Sequence, residues 1–92
     1  MKSVIQEQKE CYNCGNIYGL HVHHIFFGTA NRRLAEKRGL KAWLCYECHE
    51  GNMGVHHNRK MDLQLKRIAQ IYYEEHCGGR KEFIKEFGKS YL

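Results

Sequence analysis

The chain contains no proline, so no pyrrolidine ring fixes a backbone angle and no proline-rich linker divides it. Low-complexity tracts are absent as well. Apolar residues never run unbroken for the roughly 18 positions of a membrane-spanning helix, which excludes that class. The opening Met1-Lys2-Ser3-Val4-Ile5-Gln6-Glu7 lacks the apolar segment, about 7 to 15 residues long, of a secretory signal. A soluble, cytoplasmic chain without a membrane partner is the expectation. Its 92 residues suit a single domain, 1–92. A chain this short hides only about 60 to 70% of its unfolded surface on folding, which favours a staple beyond the apolar core.

The five cysteines are the candidate staple. Four of them form two Cys-x-x-Cys pairs, Cys11/Cys14 and Cys45/Cys48, thirty residues apart. In a reducing compartment paired cysteines are better read as metal ligands than as disulfides. Four thiolates close a tetrahedral Zn2+ and leave no open position, so this ion would hold the fold without catalysing anything. A redox dithiol would need a thioredoxin-like βαβ pattern, which is missing. Cys77 has no partner cysteine and reads as a small buried hydrophobe.

The net charge of +5 is concentrated in one place. Both ends are neutral, whereas Gly28 to Arg67 carries nine basic residues against four acidic ones. A positive field in the middle of a chain suits a polyanion, and Arg32, Arg33, Arg38, Arg59 and Lys60 are the candidate phosphate contacts. A solvated basic face is the plain alternative.

Local pattern then places the elements. Turn-prone Gly15-Asn16 after the first pair makes it a knuckle. Tyr18 to Phe27 is rich in aromatic and β-branched residues and reads as a strand, with His21 and His23 on one face and Val22 and His24 on the other. Asn31 to Arg38 fits a short helix stopped at Gly39, and Leu40 to Leu44 a second strand running into Cys45. Met61, Leu65, Ile68, Ala69, Tyr72 and His76 recur at helical spacing as one buried stripe, closed by Gly78-Gly79. Phe83, Ile84 and Phe87 edge a last helix that ends at Gly88. The aromatic residues of this final third follow the helical period and belong to a core rather than to a base-stacking platform.

Of the seven histidines, five flank the knuckles: His23, His24, His49, His56 and His57. If one ion gathers the four thiolates, Cys48 brings His49 toward the strand carrying His23 and His24. The staple would thereby assemble a second metal site, because two or three imidazoles bind late first-row ions and leave positions open for phosphate oxygen and water.

His23-His24-Ile25, a strand ending Leu44-Cys45-x-x-Cys48-His49, and His56 ahead of a helix together resemble the HNH, or ββα-metal, endonucleases. The resemblance covers about half the chain, Cys11 to Lys60, and is closest to the subgroup with a four-cysteine zinc, of the kind encoded by phages and mobile elements. It implies an α+β fold: a small zinc-stapled ββα-metal core of two-stranded hairpin plus helix, over about residues 8–60, followed by C-terminal helices over about 61–92. It also implies DNA as partner and metal-dependent phosphodiester hydrolysis giving 5′-phosphate ends. His24 would be the general base and His23 a ligand of the catalytic divalent metal (Zn2+, Ni2+, Mn2+ or Mg2+), joined by His49 and by His56 or His57, of which His56 is favoured. The family's middle asparagine has no match, since Gly39-Leu40 stands there; Asn31, Asn52 and Asn58 are candidates for orienting the base.

Two other classes compete with this reading. A noncatalytic zinc ribbon that binds nucleic acid would hold one metal per chain, and a protein-binding adaptor would meet an acidic partner through the basic middle. Oligomeric state, including a dimer that cuts both strands, is open.

Overall fold

Five residues of the aromatic and β-branched stretch enter a ladder, in a computed structural model that describes residues 3–51, 54–56 and 58–92. This strand, β1 (Leu20–His24), pairs antiparallel with β2 (Lys41–Cys45), from Leu20 opposite Cys45 to His24 opposite Lys41. The ladder is shorter than the predicted Tyr18–Phe27 because β2 is bounded on both sides. Gly39 turns the chain in the left-handed region before it, and Cys45 caps the next helix after it. Only five positions of β1 can find partners. The free edge of β2 is covered by the N-terminal segment: Trp43 N donates to Gln6 Oε1 at 2.9 Å, and Tyr12 N to Trp43 O at 2.8 Å.

Between the strands lies α1 (Thr29–Arg38), and β2 runs without a loop into α2 (Tyr46–His49), a single turn. The long helix α3 (Arg59–His76) starts at Asn58, whose side chain accepts from Met61 N at 3.1 Å. That is an N-cap, worth about 1 kcal/mol. The last helix, α4 (Arg80–Phe87), ends at the left-handed Gly88. The chain is thus α+β, a two-stranded antiparallel hairpin plus helices. No helix among the described residues is long and apolar enough to cross a membrane.

The core gathers residues of the hairpin and its flanks with residues of α3 and α4: Ile25, Leu40, Leu44, Leu65, Ala69, Tyr73 and Phe83 are almost fully buried. Phe26 stacks at a tilt on Phe87, ring centroids 4.5 Å apart. The C-terminal aromatics are core, as their period implied. The stripe of α3 differs from the expected one, however. Its buried arc is Met61, Leu65, Lys66, Ala69, Gln70 and Tyr73, while Ile68 and His76 face outward. Two polar residues enter the arc because they have partners. Gln70 donates to Glu74 and Ser90 and accepts from Tyr91 N at 2.7 Å, and Lys66 bonds Asp62 at 2.9 Å. Burial of a polar group is tolerated once its hydrogen bonds are made. Likewise Ile84 is exposed, leaving Phe83 and Phe87 as the inner edge of α4. Cys77 is exposed rather than buried; it is the C-cap of α3, just after the last helical turn.

Candidate metal centres and basic face

The two knuckles come together through the hairpin. Tyr12 N bonded to Trp43 O draws the first pair against the end of β2, where Cys45 begins the second. Ligand atoms of Cys11, Cys14, Cys45 and Cys48 all lie within 4.8 Å of one another. An ion with tetrahedral bonds of about 2.3 Å to sulfur spaces those sulfurs about 3.8 Å apart, and Cys14 Sγ is 3.7 Å from Cys45 Sγ. The donor set therefore fits a structural metal such as zinc. Burial tends to raise the Cys11 thiol, but the backbone amides of Cys45, Cys14 and Asn13 more than offset it and lower it to about 6. At Cys48 burial and the crowd of neighbouring sulfurs prevail, pushing it up to about 12. Four thiols this close cannot all ionise unless a cation shares their charge.

Beside this cluster stands one made of imidazole. His23, His49 and His56 offer ligand nitrogens within 4.8 Å of one another. They come from β1, from the last residue of α2, and from the loop ahead of α3. The loop reaches back because Gly51 and Gly54 let it close on α2. A Cβ at Gly54 would lie 2.9 Å from the carbonyl oxygens of Glu47 and His49, and one at Gly51 2.6 Å from that of Glu47. Val55 N then donates to Cys48 O at 2.7 Å, which carries His56 Nε2 to 3.2 Å from His49 Nε2.

His23 is 2% exposed, and its Nε2 has no hydrogen-bond partner among the described residues. A buried imidazole nitrogen without a partner costs free energy unless something accepts its lone pair. A metal ion is such an acceptor. Burial first, and then the neighbouring imidazoles, push His23 down to about 3, and the same two causes lower His49. Both rings are neutral at pH 7, the form that ligates metal. His21, on the same strand face as His23, places its Nδ1 3.0 Å from His49 Nδ1. That contact occupies the far nitrogen of His49 and leaves Nε2 for an ion, as outer partners of metal-bound histidines do.

His24 points to the other side of β1 but borders the same open cleft, about 710 Å³, together with His23, His49, His56, Arg32 and Arg33. Its Nε2 is 2.7 Å from Glu36 Oε1. Of the three asparagines considered for this contact, Asn58 is spent on capping α3, Asn31 has no side-chain bond to His24, and Asn52 lies outside the described residues. His57 lies outside them too. Glu36 was missed because twelve residues and a helix separate it from His24. The one signal was that Glu36 is the lone acidic residue between Gly28 and Tyr46.

The basic residues divide. Arg32 and Arg33 are exposed and edge the cleft, and Arg59 edges an adjoining hollow with Phe27 and His56. Lys60 is exposed on the first turn of α3. Arg38 is turned the other way, contrary to its assignment as a phosphate contact. Its guanidinium bonds both oxygens of Glu86, at 3.1 and 3.3 Å, and lies over the Tyr73 ring. The tie joins α1 to α4, and Tyr73 Oη also donates to Glu86. Phe27, which drew no attention in the sequence, is 43% exposed with its ring 5.6 Å from those of His23 and His56.

No family model, curated protein or solved structure matches the chain. The resemblance to the HNH nucleases therefore stands on the residues alone.

Proposed function

We propose that the protein is a metal-dependent HNH endonuclease that hydrolyses DNA phosphodiester bonds. The observation that carries this reading is the convergence of three imidazoles, one with a buried nitrogen that has no hydrogen-bond partner among the described residues, on a cleft that also holds His24 and two arginines. A noncatalytic zinc ribbon has no use for that second donor set.

In this reading Arg32 and Arg33 hold the phosphate that enters the cleft, while Arg59 and Lys60 extend the grip along the backbone. Such contacts give affinity that weakens steeply with salt and carry little base preference. His24 takes a proton from a water molecule; the water oxygen bonds to phosphorus as the bond to the 3′ oxygen breaks, and that oxygen leaves with a proton from solvent. Imidazole is suited to this task because it titrates near neutral pH. His23, His49 and His56 would hold the divalent metal, which when bound supplies Lewis-acid stabilisation of the charge developing on the phosphate and the departing oxygen. An all-imidazole set leans toward Zn2+, Ni2+ or Mn2+ over Mg2+. The products would carry 5′ phosphates.

The test is nicking of supercoiled plasmid by purified protein with each of the four metals, beside His24→Ala. The parent should nick with at least one metal, and His24→Ala should be slower by about 10²- to 10⁴-fold, the usual worth of a general base. Plasmid left intact under every metal, with DNA still bound and one metal per chain, would replace the enzyme by a noncatalytic nucleic-acid-binding module.

A further inference from the structure

We infer that Glu36 is the positioning residue of His24, accepting the proton of its Nε2 and so leaving Nδ1 as the basic atom, while Lys41 anchors the other carboxylate oxygen. The inference deepens the nuclease reading and rests on it only for the word basic. Glu36 Oε1 is 2.7 Å from His24 Nε2, and Glu36 Oε2 is 2.9 Å from Lys41 Nζ. Residues 24 and 41 stand opposite each other in the β1–β2 ladder, so both side chains rise toward the same point of α1. Glu36 occupies that point, one turn before the Gly39 cap that returns the chain to β2.

Lys41 offers only donors, and at 5% exposed it needs an acceptor. Glu36 provides it and is thereby held in one orientation. Its second oxygen is left facing imidazole, and a carboxylate only accepts, so the His24 proton sits on Nε2. This is the logic by which a third residue fixes the tautomer of a catalytic histidine elsewhere.

The plain alternative is that Glu36 serves Lys41 alone and meets His24 by chance. The two differ in what Glu36→Gln does. Lys41 still requires an oxygen, so the glutamine amide must give Lys41 its carbonyl and turn its NH2 to His24. That reverses the hydrogen bond and drives the proton to Nδ1. Adding Lys41→Met frees the amide to turn over and restore the parent arrangement.

The experiment is long-range 1H–15N NMR of the histidine side chains in the full-length protein with its structural metal bound, run with plasmid-nicking kinetics. The expected results are an Nε2–H tautomer for His24 in the parent, an Nδ1–H tautomer in Glu36→Gln, and return of Nε2–H in the double variant. Alongside, kcat should fall at least about tenfold in Glu36→Gln with KM nearly unchanged, and recover partly in the double variant. A His24 tautomer identical in parent and Glu36→Gln overturns the inference. Tautomers that switch as described in a protein that cuts no DNA support the role of Glu36 and overturn the nuclease reading instead.

Discussion

The sulfur cluster and the imidazole cluster stand side by side yet are built in opposite ways. Each sulfur pair comes from one tight turn, so only two pieces of chain must meet, and a single hairpin brings them together. The three imidazoles come from three places, one of them a loop folded back over Gly51 and Gly54. The first cluster is a short-range motif doubled, and the second is a product of the fold that a metal on the first would secure. The sulfurs should therefore govern stability, and the imidazoles function.

Stripping the structural metal should have the largest effect. The binding free energy of a four-thiolate zinc is on the order of 10 kcal/mol and appears as folding free energy. Cys45→Ala, or a strong chelator, should abolish the cooperative thermal transition seen by circular dichroism; a chelated protein that still melts sharply would dissolve the contrast between the clusters. His23→Ala should do the reverse, losing the second metal equivalent by elemental analysis while keeping the first and its melting transition.

A finer version turns on His21. Removing an outer partner of a metal-bound histidine typically weakens affinity by about 10- to 100-fold. His21→Ala should weaken binding of Ni2+ or Zn2+ at the imidazole site by that factor in a calorimetric titration, with metal at the sulfur site unaltered. Equal affinity in both proteins would leave the 3.0 Å contact with His49 without influence on the ion.

The arginines extend the comparison to the rest of the molecule. Neutralising Arg32 and Arg33 together should lower the slope of log affinity against log salt by about 2 in fluorescence anisotropy with duplex DNA, one unit for each lost phosphate contact. Arg38→Ala should leave that slope alone and cost about 1 kcal/mol in urea unfolding instead, because it unties Glu86. Its effect should depend on pH with a definite sign. Burial works to raise the Glu86 carboxyl, but the hydrogen bonds from Tyr73 and Arg38 overcome it and hold it below the ordinary carboxylate range. The tie thus contributes fully above that range, and the gap between parent and Arg38→Ala should close as pH falls from it through the depressed value below.

What could be read early was whatever depends on near neighbours. The knuckles, the direct passage of β2 into Cys45, and helix stops at Gly39 and Gly88 follow from spacing and glycine chemistry. Glycine at 51 and 54 disfavours a helix there, but nothing along the chain shows the close approach to α2 that brings His56 home. The stripe on α3 was misplaced at Ile68 and His76 because periodicity marks a face without saying where its edges lie. Gln70 and Lys66 belong to it through bonds to residues that only packing supplies. Arg38 looked like its neighbours Arg32 and Arg33 until α4 offered it a carboxylate.

By itself the order of residues determined the donor chemistry: two thiol pairs at turn spacing, imidazoles on either side of them, and positive charge in the middle of the chain. Residue type and short-range geometry suffice for that. The tertiary structure alone decided which imidazoles converge, which arginines face the cleft, and that Glu36 meets His24. Each of those is a contact between segments whose distance in space is set by the packing of the hairpin and helices rather than by their distance along the chain.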